Sequence, residues 1–219
     1  MVRLKAKLTA FDGQAMSLEV TASPNTSAIK QGDALTVSVL PGTRYVGSEK
    51  ASLDTVNPGD YAGAAVTEDK NGGLKASDVY VYAPALRGSG EGRFTEADRL
   101  IVNGTVRAIQ PVSADGKKDG SLTLHYRGAV LTGLGKGRTL CEGRASPPAF
   151  ASALACESDA VIAVPSGASV SALTVGDKSL LSPGRLVTVA MTKGADGKNV
   201  TPGVIVDKTS PVEKPQSSP

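Results

Sequence analysis

The sequence predicts an all-β protein of two tandem, small, five-stranded OB-like barrels, the second with a Gly-rich, Cys-containing insertion. Turn-forming residues are frequent, with 25 Gly and 13 Pro among 219 residues. Apolar and polar residues alternate in short runs, which is typical of half-buried strands. The chain also contains an internal repeat, and its length suits two domains. An open sandwich is the alternative architecture, because closing a sheet is only one way to protect its edges.

The repeat relates residues 36–82 to residues 161–207 without a gap. Pro58-Gly59 aligns with Pro183-Gly184, 125 residues further on, and Gly72 aligns with Gly197. Pro-Gly suits a tight turn because proline fixes φ and glycine accepts positive φ. Asn71-Gly72 and Asp196-Gly197 are strong hairpin signals. Identities at turns and alternate apolar positions indicate that the two copies share a backbone geometry.

Each copy is expected to supply five strands and form its own domain. The first domain spans 1–86 and the second spans 99–207. A short helix or turn is predicted at 50–56, before the Pro-Gly turn. The predicted strands lie near 2–11, 16–22, 34–40, 60–67 and 74–82 in the first domain, and near 101–109, 120–127, 160–165, 185–192 and 200–207 in the second.

Three segments fall outside the regular strands. A Gly-rich linker is predicted at 87–98. The tail at 208–219 combines Pro with Ser, Lys and Gln, so it lacks the apolar content to pack and is expected to be disordered. The third segment is the insertion at 128–157, which lies between the second and third strands of the second domain.

Both cysteines of the chain, Cys141 and Cys156, belong to the insertion. A disulfide between them is the economical interpretation, since closing a loop of about 15 residues contributes roughly 3 kcal/mol in the chain-entropy model. Two buried or free thiols are the alternative. An oxidised pair implies a periplasmic or otherwise exported protein. Met1-Val2 leads almost directly into a strand, as expected if a signal peptide had been removed.

The pattern of motifs resembles uncharacterised bacterial exported proteins with tandem DUF5666-like domains, which have small OB-like barrels. The resemblance covers nearly the whole chain and rests on segments of both copies. That family often has His after its Arg-Gly-x-Gly-Glu-Gly segment, whereas this chain has Arg93, which argues against a metal site there. The resemblance implies an exported two-domain β protein and carries no activity. The segments are Asp12-Gly13, Ala51-Ser52-Leu53, Pro58-Gly59-Asp60-Tyr61, 72–76, 79–82, 86–92 and 176–184.

The candidate ligand- or partner-binding residues fall into three groups. Arg87, Glu91 and Arg93 belong to a Gly-rich but charged linker, which serves either as a plain connection or as a packed loop that pairs charges or contacts a ligand. Tyr80 and Tyr82 share one face of a strand, where they either meet an oligosaccharide or peptide or cover the core. The remaining candidates are basic residues of the insertion, Lys136 and Arg138.

Composition excludes several chemistries. One His and two Cys are too few for a Cys/His zinc site, and no apolar run is long enough to span a membrane as a helix. Residues 133–138 lack the Gly-Lys-Ser/Thr ending of a phosphate loop. No catalytic set, metal or cofactor is therefore predicted. The expected function is a non-enzymatic exported binding or scaffold protein whose protein partner or extracellular ligand is unknown.

Two alternatives remain open. The OB-like prediction and the basic insertion suit a protein that binds nucleic acid or oligosaccharide, although basic residues here alternate with Gly rather than with stacking aromatics. An unrecognised hydrolase would use His125, the single histidine.

Overall fold

The structure is a computed structural model that describes residues 2–24, 28–96, 99–111, 113, 119–127 and 157–213. The regular elements of these residues are β-strands and short 3-10 turns. No α-helix is among them, so the all-β prediction is confirmed. The strands are β1 (Val2–Phe11), β2 (Ala15–Ala22), β3 (Ala34–Lys50), β4 (Tyr61–Glu68), β5 (Leu74–Tyr82), β6 (Gly92–Glu96), β7 (Arg99–Gln110), β8 (Gly120–Arg127), β9 (Glu157–Val164), β10 (Ser169–Gly176), β11 (Leu186–Lys193) and β12 (Asn199–Asp207).

The chain divides into two compact units, of which the first comprises 1–49 and 174–219. In this unit β1 pairs with β2, β2 with β3, β3 with β12, β12 with β11, and β11 with β1. The pairings form a closed five-stranded barrel, in which only β3 and β12 run parallel. Alternate residues such as Leu4, Met16, Leu18 and Val189 fill its interior and are almost completely buried.

The second unit comprises residues 50–173. Here β4 pairs with β7, β7 with β8, β8 with β9, and β5 with β4. β5 also meets β9 in a short parallel contact, with Leu74 opposite Ile162. Two further strands extend this sheet, because β6 pairs with β7 and residues 169–173 of β10 pair with β5. The core includes Val79, Val102, Leu122, Leu124 and Tyr126.

Two hairpins, β4–β5 and β11–β12, belong to different units from those that the sequence predicts. The predicted first domain, 1–86, groups β4 and β5 with β1–β3, whereas the structure pairs them with β7–β9. β11 and β12 instead complete the barrel of β1–β3. The hairpins β4–β5 and β11–β12 are copies of one repeat, so their alternation suits either partner. Long-range packing alone distinguishes the two arrangements.

The repeat itself has a structural counterpart. β4 and β5 correspond to β11 and β12 at the 125-residue spacing, with the same lengths. The expected short turn at 50–56 is a 3-10 turn at Leu53–Thr55, and its counterpart is Lys178–Leu180. β10 corresponds to the second half of β3 at the same spacing. In the first copy these residues continue one long strand, whereas in the second copy β10 is a separate strand. β6 and β10 were not expected from the sequence. β6 begins at the last of three closely spaced glycines, Gly88, Gly90 and Gly92, which weaken a strand pattern.

The segment after β12 is packed as far as residue 213, contrary to the expectation of a disordered tail from 208. Ser210 is buried, its hydroxyl donates to the carbonyl of Asp207 at 2.6 Å, and it accepts the Leu186 N–H at 2.9 Å. The Glu213 N–H donates to the carbonyl of Pro183 at 2.8 Å. Backbone and hydroxyl hydrogen bonds therefore hold a stretch whose apolar residues, Pro211 and Val212, are exposed. Residues 214–219 lie outside the described part of the chain.

Candidate functional site

The Gly-rich loop at 87–92 is a compact series of turns belonging to the 50–173 unit. The Ser89 N–H donates to the carbonyl of Leu86 at 3.1 Å, and Gly88 and Gly90 adopt positive φ angles of 81° and 62°. Such angles favour glycine because it has no β carbon. Of the two expectations for this segment, a packed loop describes it better than a plain flexible linker.

A row of side chains crosses the outer face of the same unit. Cross-strand partners project to the same face of a sheet. The register places Tyr82 opposite Tyr61, Tyr61 opposite Thr105, Thr105 opposite His125, and His125 opposite Asp159. The neighbouring β5 residues Val79 and Val81 pack against the core, so the row lies on the other side of the sheet.

Arg87 attaches the loop to this row. Its guanidinium carbon lies 5.9 Å from the centroid of the Tyr61 ring, its Nη1 donates to Thr105 Oγ1 at 3.3 Å, and its Nη2 donates to the carbonyl of Gly59. Cation–π stacking and two hydrogen bonds thus hold one side chain in a single orientation. Arg87 is a fixed part of the surface.

Tyr61 lies beneath the loop and is almost completely buried. Its hydroxyl donates to the carbonyl of Ser89 at 3.3 Å, and its ring meets that of Tyr82 edge to face with centroids 5.3 Å apart. Burial raises the pKa of the Tyr61 hydroxyl well above its usual value, and the nearby Glu91 carboxylate adds to that shift. Tyr61 therefore stays neutral and supports the loop.

Glu91 reaches the end of β8. Its Oε1 accepts the backbone N–H of Arg127 at 3.2 Å. Because residues 128–156 connect Arg127 to Glu157, both ends of the insertion attach next to this carboxylate. The loop, the row and the two attachment points of the insertion therefore share one face.

Four charged side chains surround the single histidine, and we call the five residues together the His125 network. His125 Nδ1 lies 2.8 Å from Asp159 Oδ1, and its Nε2 lies 3.6 Å from Glu157 Oε2. Arg107 Nε is 3.4 Å from Asp159, and Arg127 Nε is 2.8 Å from Glu157. The two arginines and two carboxylates are about half exposed, whereas the histidine side chain is 17% exposed.

The network is suited to recognition by charge. Within the described residues His125 contacts two carboxylates, those of Glu157 and Asp159. The described part of the chain also contains no group of three His, Cys, Asp or Glu placed to hold a metal ion. What the geometry offers is a rigid strand surface with alternating positive and negative groups.

The structure brings some of the predicted site residues together and separates others. Arg87, Glu91 and Tyr82 lie on the common face, and Tyr80 shares the outer side of β5 with Tyr82. Arg93 is buried on β6, where its Nη2 lies 3.0 Å from Glu68 Oε2, so it serves the structure. The predicted residues Lys136 and Arg138 lie outside the described residues, as do Cys141 and Cys156, whose disulfide stays a prediction.

Sequence reasoning did not select Thr105, Arg107 or Asp159. Each is an unremarkable polar residue of an alternating strand, and its role follows from which strand lies beside it. The alternation of β7 and β9 could have placed all three on an outer face. It could not have shown that His125 lies between them.

Comparisons with protein-family models, curated proteins and solved structures find no match to this chain. Over the described residues, no helix has the length and apolar character needed to cross a membrane.

Proposed function

We propose that this chain is a non-enzymatic binding or scaffold protein that holds a protein partner or an extracellular ligand on the outer face of the 50–173 unit. The observation that carries the proposal is the attachment of the 87–92 loop. It brings Arg87 and Glu91 onto the face that also bears the His125 network, above a hydrophobic core that is already filled.

The chemistry of this face supports specific recognition. Charges held on strands are preorganised, so a partner with complementary charges binds without first ordering them. Opposite charges in fixed alternation select partners and discriminate against wrong ones more than they add raw affinity. Lys136 and Arg138 belong to the insertion that joins two strands of this face, and we propose that they contribute to the same contact.

The finer fold assignment and the location in the cell are also proposals. Two OB-like barrels are supported by the pairing in each unit, where five strands are joined by four antiparallel pairs and one parallel contact, β3 with β12 in one unit and β5 with β9 in the other. Kinship with exported DUF5666-like proteins is supported by the sequence motifs. A periplasmic or otherwise exported location follows from that kinship and from the predicted disulfide.

A second candidate, a hydrolase, is favoured by the short His125–Asp159 contact. A carboxylate in this position can orient an imidazole for general-base catalysis. Replacing His125 with Ala should then abolish a measurable turnover. Binding that survives in H125A with no turnover in either protein would leave the binding function as the better account.

The proposal is tested by a thermal-shift screen against short peptides, cell-wall oligosaccharides, single-stranded DNA and divalent metals. A ligand at about 100 times its Kd stabilises the folded state by roughly 2.7 kcal/mol. Arg127→Glu should remove the shift caused by the ligand. Arg44→Glu, which makes the same charge change on an exposed site of the other unit, should retain it. A ligand shift that is unchanged in R127E would contradict this placement of the site.

A further inference from the structure

A groove of about 340 Å³ lies on the unit formed by 1–49 and 174–219. It runs between the beginning of β3 and the β11–β12 hairpin. It shares no residue with the face proposed above as the binding site. Its lining residues are Ala34, Leu35, Thr36, Ser38, Lys193, Lys198 and Asn199.

One wall of the groove is an exposed strand edge. β2 pairs with β3 from Ala34 to Ser38, but the pairing of β12 with β3 begins only at Ser38. The Thr36 carbonyl faces the groove, because it accepts the side-chain N–H of Asn199 at 3.3 Å. The N–H and C=O of one strand residue point to the same edge. The odd-numbered residues point to β2, since the Asp33 carbonyl accepts the Val20 N–H and the Val39 N–H donates to the carbonyl of Gln14. Ala34 and Thr36 therefore present main-chain groups to the groove that another strand can pair with, and at the Thr36 carbonyl that strand would replace the Asn199 side chain.

The opposite wall carries two lysines on a well-defined hairpin. Lys193 lies opposite Asn199, the Gly194 N–H donates to the carbonyl of Lys198 at 2.8 Å, and the Lys198 N–H donates to Asp196 Oδ1 at 3.0 Å. Lys198 Nζ also lies 3.5 Å from Asp196 Oδ2. Within the described residues, Lys193 has no carboxylate partner within 4.0 Å.

Two other carboxylates lie near this region. Asp33 directly precedes Ala34, and its Oδ2 accepts the Lys30 N–H at 2.8 Å. Glu19 lies opposite Ala34 in the β2–β3 pair, but Lys7 is close enough for Glu19 to contribute to raising the Lys7 pKa. Asp196 pairs with Lys198 but is not among the lining residues, which include two lysines and no carboxylate. The lining itself is therefore positively charged.

The side chains that line the groove favour some classes of ligand over others. No aromatic side chain is among the described residues that line the groove, whereas nucleobases are held largely by stacking on aromatic rings. Lysines, hydroxyls and an open strand edge suit a ligand with carboxylates and a main chain of its own. Strand addition gives such a ligand affinity through main-chain hydrogen bonds and specificity through alternate side chains.

We propose that this groove binds an acidic peptide in extended conformation. The peptide adds to the edge of β3 at residues 34–37 and places carboxylates beside Lys193 and Lys198. This site is independent of the face proposed above, so either can fail without the other.

The test uses fluorescence anisotropy with a labelled octapeptide of alternating Glu and Thr. The acidic octapeptide should bind, and an octapeptide of alternating Lys and Thr should not. The double variant Lys193→Glu, Lys198→Glu should weaken binding by at least about tenfold, because two attractions become repulsions. The matched control Lys5→Glu, Lys70→Glu makes the same net charge change at exposed sites outside the groove and should bind like the parent.

A second probe separates strand addition from simple charge attraction. The same acidic octapeptide, N-methylated at every second residue, has lost the N–H groups of one edge and should bind far more weakly when the methylated edge is the one facing β3. Unchanged affinity for both N-methyl patterns would overturn the proposal. So would equal losses in the two double variants, absence of acidic-peptide binding, or tighter binding of oligo-dT of equal charge. Thermal unfolding of each variant confirms that the exposed substitutions leave the fold intact.

Discussion

The side-chain amide of Asn103 occupies the space above Gly63. The two residues are directly opposite in the β4–β7 pair, and a β carbon built on Gly63 would fall 2.0 Å from Asn103 Oδ1. Asn103 is buried, donates to the carbonyl of Gly90 at 2.8 Å and accepts the hydroxyl of Tyr82 at 3.3 Å. One amide therefore joins β7, β5 and the 87–92 loop, and the missing side chain at position 63 makes room for it.

The equivalent pair in the other unit is different. Thr188 is the counterpart of Gly63 in the repeat, and it lies opposite Lys5. If the β11–β12 hairpin took the place of β4–β5, Thr188 would lie opposite Asn103, whose amide leaves no room for a side chain there. The Gly63–Asn103 fit thus favours pairing of the β4–β5 hairpin, and not its copy, with β7.

Gly63→Ala should destabilise the protein by about 1–3 kcal/mol, the usual cost of overpacking a filled site. Urea unfolding measures the change. The control is Gly167→Ala, where an added β carbon meets nothing within 4 Å. Equal unfolding midpoints for G63A and G167A would show that Asn103 moves aside at no cost.

Asn103→Ala should cost about 1–3 kcal/mol, because it leaves the Gly90 carbonyl and the Tyr82 hydroxyl without this buried partner. Limited proteolysis should also become faster within 87–92, since the loop loses a tether. Asn57→Ala is the matched change at an exposed amide, which donates to the carbonyl of Thr55 at 3.3 Å. The prediction fails if N103A and N57A unfold alike.

The stability of the protein should fall as the pH rises above 10, in part through Tyr61. Its pKa is raised in the folded state by burial, so the unfolded chain releases this proton first. The Tyr61 contribution is therefore fully present below the unfolded pKa of 10 and declines above it. Tyr61→Phe should flatten the plot of unfolding free energy against pH in this range. Parallel plots for Y61F and the parent above pH 10 would refute the assignment.

Gly184→Ala should destabilise the 1–49/174–219 unit and loosen the segment at 208–213. Gly184 has a φ of 91°, and a β carbon there would lie 2.6 Å from the backbone nitrogen of Glu213. Strain from the positive φ costs about 1–3 kcal/mol, and the backbone clash adds to it. The control is Gly13→Ala, which has a φ of 93° and open space around it. Faster cleavage after residue 207 in G184A than in G13A is the expected result.

The local sequence pattern was sufficient to predict where most of the strands and turns lie. Alternation and Gly-containing turns located β1, β2, β4, β5, β7, β8, β11 and β12 closely, because a two-residue period and a positive φ are properties of short segments. They also identified the repeat, and they singled out Arg87, Glu91 and Tyr82, which meet on one face. The same pattern placed Arg93 among the candidates, although its side chain is buried against Glu68.

The amino-acid sequence thus specifies where the strands and turns are, which copy of the repeat each belongs to, and which side chains alternate. Tertiary structure decides that β11–β12 closes the barrel of β1–β3 while β4–β5 joins β7–β9. It also decides that His125 lies between Thr105 and Asp159. The physical reason is that the two hairpins carry the same alternation and the same turns, so local energies do not separate them. Contacts between residues far apart in the chain, such as Gly63 with Asn103, distinguish the two arrangements.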